Sequence, residues 1–387
     1  MEACLLGRSV LVLLGLLAGT VHGVAQADES AAFTPAQLSH VRSLGPWPPA
    51  WTADPANRVS GDPRAVELGR RLFRDPRMSP VGYIACVTCH QPDRAFTDRR
   101  ARAHGLADLP RNTPALANLR QQRWYGWDGA SDSLWLASVR PMLDPREFDG
   151  NPTSITRIYE RDPELAACYA AVFGTEPVRD AQETIVNTGK ALAAFQETMV
   201  TGRTAFDRYR DALLRNDASA MAAYPAPARR GLRLFVGPAG CVACHRGPNL
   251  SDGQFHAVLD PAAARFGDDD GRLGGADRLR ANPMNLLGRF NDDATRANAQ
   301  AVERLVVRDD MRDRFRTPSL RNVGVTAPYM HDGRHDRLVD ALDHGASAVG
   351  TTLGAAARDD LLAFLVTLTD EHGERRPWST EPLARCP

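Results

Sequence analysis

Lysine is all but missing from this chain: Lys190 stands alone, and arginine supplies the rest of the 47 basic residues. No function attaches to that bias by itself. Net charge is missing as well, because 47 acidic residues balance the basic ones. A neutral surface removes the electrostatic case for nucleic acid or an acidic membrane as partner. Downstream of Val21 no stretch is apolar enough to cross a bilayer, so membrane insertion is not expected. Long period-two alternation is also lacking, which excludes an extensive sheet and leaves a mostly α fold class.

What is present begins at the N-terminus. Arg8 precedes the apolar run "SVLVLLGLLAGTV", and Ala25 and Ala27 form an A-x-A cleavage site. This pattern predicts a signal peptide over residues 1–27, a mature chain starting near Asp28, and a periplasmic location. The remaining length suffices for two domains, each with its own core. Of seven cysteines, Cys4 falls in the leader and four belong to the motifs below. Cys168 and Cys386 remain, to pair in an oxidising compartment or to stand as two buried thiols.

Two segments carry the chemistry: "GYIACVTCHQPDRAFTD" from Gly82 and "GPAGCVACHRGPNLSDG" from Gly237. Each follows a related stretch, "GRRLF" or "GLRLF", so the pair reads as an internal duplication with one chemical job. C-x-x-C-H is the attachment signature of c-type haem. Cysteines one helical turn apart reach the two vinyl groups of one porphyrin, and the adjacent histidine becomes the proximal iron ligand. Cys86, Cys89 and His90 would hold one haem; Cys241, Cys244 and His245 would hold a second. A zinc site and a redox dithiol are the rivals, but zinc wants four ligands in one cluster and a dithiol has no use for the histidine.

Helical signals surround these motifs. Asp62 and Pro63 open "DPRAVELGRRLF", with Val66, Leu68 and Leu72 at helical spacing. "DAQETIVNTGKALAAFQETMVTG" sets Ile185, Leu192, Phe195 and Met199 on one face and reads as a bridge between two halves. The polar stretch from Asp260 to Arg314 gives no clear secondary structure. "AAARDDLLAFLVTLT" reads as a closing helix.

Three further blocks follow in order: "HGLADLPRNTPAL", "RWYGWDGASDSLWLASVRPMLDPREF" and "FRTPSLRNVGVTAPYMHDG". With the haem motifs, over roughly residues 60–370, they resemble the bacterial di-haem cytochrome c peroxidase and MauG family. The "RWYGWDGASDSLW" block is most similar to MauG-type enzymes linked to methanobactin operons, which oxidise a tryptophan of a partner protein. The resemblance implies two cytochrome c-like domains, a peroxidatic haem domain over 28–178 and an electron-relay haem domain over 179–387. It implies an enzyme that uses hydrogen peroxide to reach a high-valent state. Its partner would be a protein substrate, a small cytochrome or a cupredoxin; a non-enzymatic di-haem electron carrier is the third reading.

Position by position, the resemblance implies that Trp127 lies between the haems, that Glu147 assists O–O cleavage, and that Pro141 is the nearby structural proline. It implies a calcium ion between the domains, bound by Asn112 and the carbonyls of Thr326 and Pro328. His104 falls where some members cap the peroxidatic iron. Each position also has a plain reading: Glu147 as a first-turn helix acid, Trp127 as core filling, His104 as an exposed loop residue. Two departures stand out. The family's distal glutamine falls on Ala137, and its relay-haem methionine or tyrosine falls on Gly345, which cannot ligate iron. His344 is the expected replacement, with Met330 second. An imidazole in place of methionine lowers a haem's potential, which favours oxidation of an aromatic side chain on a partner protein over peroxidase action fed by cytochrome c.

Overall fold

The computed structural model describes residues 33–177, 179–257 and 269–370. The expected signal peptide and Cys386 lie outside these residues. The chain first forms α1 (Pro35–Ser43), α2 (Pro63–Arg74), the one-turn α3 (Cys86–Cys89), α4 (Leu134–Leu143), α5 (Pro152–Arg161), α6 (Pro163–Phe173) and α7 (Ala181–Gln196). There follow α8 (Ala205–Arg215), α9 (Ala218–Ala222), α10 (Ala226–Phe235), α11 (Arg272–Ala281), α12 (Gln300–Glu303), α13 (Leu338–Ala348) and α14 (Ala355–Val366). A two-stranded antiparallel ribbon pairs β1 (Phe255–Ala257) with β2 (Arg314–Arg316), matching His256 to Phe315. The mostly α class holds. No helix among the described residues is long and apolar enough to cross a membrane.

Local signals explain the helix starts. The Asp62 side chain accepts the Arg64 N–H and Pro63 occupies the first turn of α2, where a missing N–H costs nothing. Leu68, Leu72 and Phe73 then turn inward, while Val66 is only half-buried.

Two cores result, and they do not follow the chain's two halves. The first takes α2, α4, α5, α6 and α7 and adds Leu279, Met284, Leu286, Ala299 and Val302 from the polar stretch. The second combines Phe33, Val41 and Leu44 of the N-terminal arm with α8, α10 and α14. The expected boundary between 178 and 179 therefore lies ahead of a helix that belongs to the first core. The bridging role expected of α7 is also corrected. Every side chain from Thr184 to Gln196 is buried, because α2, α4 and α5 pack around it. Met199 lies beyond the end of α7. Lys190, the one lysine, is part of that burial: its Nζ donates to Asp292 Oδ2 (2.6 Å) and to the Phe290 carbonyl (2.9 Å), tying the polar stretch down onto α7. Cys168, buried in α6, is disulfide-bonded.

The two "G-x-R-L-F" helices pack alike. A Cβ added at Gly69 in α2 would overlap the Ala191 carbonyl and touch Phe195; one added at Gly231 in α10 would overlap the Asp360 carbonyl and touch Phe364. In both cores a glycine lets two helices meet backbone to backbone, with a phenylalanine four residues along the partner. Gly69→Ala and Gly231→Ala are each expected to lower unfolding stability by about 1–3 kcal/mol through overpacking. Denaturant titration of the haem-loaded protein measures this, and a change below about 0.5 kcal/mol would mean the helices separate freely.

Candidate active site

Each C-x-x-C-H segment follows one of those paired helices and folds as a single turn. His90 N–H donates to the Cys86 carbonyl (2.9 Å) and His245 N–H to the Cys241 carbonyl (2.9 Å). His90 Nδ1 lies 3.1 Å from the Phe96 carbonyl, and His245 Nδ1 lies 3.0 Å from the Leu250 carbonyl. A carbonyl on Nδ1 fixes the proton there and leaves Nε2 as an electron-pair donor, the orientation a metal-ligating histidine needs. Burial lowers the pKa of both imidazoles and so favours the neutral, ligating form. All four motif cysteines are free. Burial pushes the Cys86 thiol up to about 12 and those of Cys89 and Cys241 up to about 11.

The loops after the motifs repeat their geometry as well. "TPALANL" from Thr113 and "TPSLRNV" from Thr317 both place asparagine in left-handed backbone, Asn118 at φ 64° and Asn322 at φ 63°. Asn118 N–H donates to the Met199 carbonyl, and Asn322 N–H to the Leu368 carbonyl. The two side chains accept from the N–H groups of Thr201 and Asp370, each at 2.9 Å. The residue just before each Thr-Pro crosses to the opposite half. Asn112 N–H donates to the His331 carbonyl (2.7 Å), and Arg316 N–H donates to the Trp127 carbonyl (2.8 Å). Trp127 and His331 hold matching places in the turns "YGWDG" and "YMHDG". The seam between the halves is thus a reciprocal pair of backbone bonds with Trp127 at its centre. Trp127 is half-buried, and its Nε1–H donates to the Asn112 carbonyl (2.9 Å). It belongs to a seam between halves, which a purely core-filling ring does not.

A cavity of about 790 Å³ opens beside this seam. Cys241, Cys244 and His245 line one side, while Trp127 and Phe96, whose carbonyl holds His90, line another. Met330 and His344 both line it, as does Gly345, where an added Cβ would meet nothing. His344 Nδ1 lies 3.0 Å from His335 Nε2, a partnership not visible in sequence. Met330 takes left-handed backbone (φ 72°) at the place held by Gly126 (φ 79°) in the other turn. A methionine there carries strain.

Glu147 sits in the turn after α4, so the helix-N-terminus reading is excluded. Pro141 lies inside the last turn of α4, where its missing N–H frees the Ala137 carbonyl. The Asp144 carbonyl then accepts the N–H groups of Glu147, Phe148 and Asp149, and the Arg146 carbonyl accepts those of Leu106 and Ala107. This holds Glu147 near Cys86 and Cys89, whose thiols both feel its charge. Burial raises the Glu147 carboxyl to about 7; Asp144 adds to the rise and Arg140 and Arg146 oppose it. Ala137, at the family's glutamine position, offers only a methyl that packs on the first core.

His104 is exposed, with Nδ1 2.6 Å from Asp108 Oδ1, and only its backbone carbonyl approaches Cys89 Sγ (3.6 Å). Asn112, Thr326 and Pro328 all line the cavity wall. Asn112 Nδ2 donates to the Arg100 carbonyl (2.8 Å), leaving Oδ1 without a protein donor among the described residues. Sequence reasoning missed Arg316 and His335. The matched Thr-Pro loops carried the signal for Arg316, since it occupies the place of Asn112.

A histidine oriented for ligation beside two cysteines at vinyl-reaching spacing occurs twice, and the cavity lined by Cys241, Cys244 and His245 has room for a haem at the second of these motifs. Fold and site define a di-haem oxidoreductase. The profile of the di-haem cytochrome c peroxidases matches residues 63–214. The chain is 34% identical over 322 residues to the methylamine utilization protein MauG of Methylorubrum extorquens, covering 80% of this chain and 79% of that one. It is 29% identical over 330 residues to the cytochrome c551 peroxidase of Pseudomonas aeruginosa, covering 82% and 84%. A solved MauG-like protein associated with microbial copper homeostasis superposes with a TM-score of 0.64 at 26% identity, covering 88% of this chain and 100% of that one. The chain belongs to the di-haem cytochrome c peroxidase and MauG family, and it is an enzyme of peroxide chemistry.

Proposed function

We propose that this is an exported, periplasmic enzyme that uses hydrogen peroxide to oxidise a tryptophan or tyrosine of a partner protein. Haem is attached covalently through Cys86 and Cys89, with His90 on the iron, and again through Cys241 and Cys244, with His245 on the iron. Bound haem supplies the peroxide-reactive iron and the storage of two oxidising equivalents. The chain does the rest. Glu147 takes the proton from the nearer peroxide oxygen and delivers it to the departing one. Pro141 and the Asp144 carbonyl hold Glu147 in place. Trp127 provides an aromatic path between the two sites, and Asn112 Oδ1 with the Thr326 and Pro328 carbonyls holds a calcium ion at the seam.

The observation that carries partner oxidation over plain peroxidase action is Gly345. The relay-ligand position adds no side chain to the cavity, and His344 stands beside it with Nδ1 on His335. An imidazole ligand there lowers that haem's potential, so an oxidising equivalent is more easily held on it. Met330 on the same wall supports the second reading, a cytochrome c peroxidase. The test mixes peroxide-treated enzyme with its co-encoded proteins and, separately, with reduced cytochrome c. An oxygen-adduct mass shift on an aromatic residue of a co-encoded protein is expected, together with rapid return of the enzyme's resting spectrum. Rapid, saturable cytochrome c oxidation with no such mass change would make the enzyme an ordinary peroxidase.

A further inference from the structure

Arg316 is 5% exposed, and among the described residues it makes no ion pair. Its Nε donates to the Gly126 carbonyl (3.1 Å) and its Nη1 to the Thr317 carbonyl (3.3 Å). Both acceptors are neutral, and Asp128, the carboxylate whose charge acts on it, is already paired with Arg111 (2.7 Å) and Arg278 (2.6 Å). Other buried guanidiniums in the molecule are matched: Arg321 makes two 3.0 Å bonds to Asp207, and Arg334 pairs with Asp332 at 2.7 Å. Arg272 also lacks a carboxylate, but it lies over the Trp124 and Phe255 rings and is not part of the cavity wall. Arg316 is part of that wall. Of the acids there, Asp269 is engaged by Arg111 at 2.6 Å, and neither Asp313 nor Asp370 pairs with Arg316. A buried cation without a partner is costly, and an anion of matching shape relieves the cost. A planar guanidinium recognises a carboxylate with two parallel bonds.

We propose that Arg316 binds a propionate carboxylate of the haem held by Cys241, Cys244 and His245, and so ties that porphyrin edge to the Trp127 turn. The inference rests on the second haem occupying this cavity. It does not depend on which substrate the enzyme oxidises. The tie is direct, because the Arg316 N–H already holds the Trp127 carbonyl while its Nε holds Gly126. A positive charge at a propionate disfavours the more positive, oxidised haem. Removing it therefore lowers that haem's reduction potential.

The test compares Arg316→Gln, which keeps a neutral donor for Gly126, with Arg316→Lys, which keeps the charge. Haem is first counted as the pyridine complex of denatured protein, which reports loading separately. In Arg316→Gln the potential of the Cys241/Cys244 haem should fall while the other haem keeps its value, and Arg316→Lys should restore most of the difference. Unchanged potentials, or a shift confined to the Cys86/Cys89 haem, overturn the proposal. Should neither variant load two haems, the wild-type protein decides. Its propionate-bending Raman bands should shift in D2O if N–H donors hold the carboxylate, and bands that stay fixed overturn it.

Discussion

Glu147→Gln should load both haems, bind small ligands at the open iron, and react with hydrogen peroxide about 10²–10⁴-fold more slowly, the usual weight of a general acid–base group. The substitution preserves size and removes only the group that shuttles the proton. Little else should move, because the turn is held by backbone bonds to the Asp144 and Arg146 carbonyls, and among the described residues no hydrogen bond to the Glu147 carboxyl supports it. The pH profile adds a second readout. Burial raises this carboxyl to about 7, and the group must be unprotonated to accept the peroxide proton. The wild-type rate should therefore climb as pH rises through that region and flatten above it, and Glu147→Gln should lose the climb. Rapid-mixing spectroscopy of the peroxide-oxidised state measures both. A variant within twofold of wild type would reduce Glu147 to a structural acid.

What could be read from the residues was local or covalent in origin. The haem motifs were legible because attachment needs two cysteines and a histidine at fixed spacing, whatever the fold around them. The start of α2 was legible because Asp62 and Pro63 act within one turn. Buried α7 was misread as one-faced. Its small residues, Gly189, Ala191, Ala193 and Ala194, face neighbours on every side, and a search for a 3.6-residue stripe looks only for the large ones. The arm before Arg64 and the stretch after Asp260 misled for another reason. Each packs mainly on the core of the other half, and nothing local in "PAQLSHVRSL" or "ANPMNLLGRF" says which half. Arg316 and His335 were hidden more deeply. Their meaning lies in what faces them, Gly126 and His344, and both contacts are made only after the chain has folded.

His344→Ala should remove the low-spin signal of one haem and leave a high-spin one, with covalent haem content unchanged at two per chain. Besides His245 the cavity wall carries three histidines and a methionine. His256 is held on Asp252 and His331 stacks on Phe315, and the other two, His344 and Met330, differ in how they are held. His344 sits on α13, and the 3.0 Å contact of its Nδ1 with His335 Nε2 fixes the plane of its ring. Met330 sits in a turn in left-handed backbone, and its flexible side chain has no fixed partner of this kind. An imidazole oriented by a second imidazole binds ferric iron as a strong-field ligand, so its loss converts the spin state instead of weakening it by degrees. Magnetic resonance of the ferric protein reads this directly, and Met330→Leu serves as the paired control that should leave the signal intact. The reverse pattern, low spin surviving in His344→Ala and vanishing in Met330→Leu, assigns methionine to the iron. It would raise the expected potential of that haem and return the balance to a peroxidase fed by a small redox protein, because a high-potential relay accepts electrons more readily than it stores an oxidising equivalent.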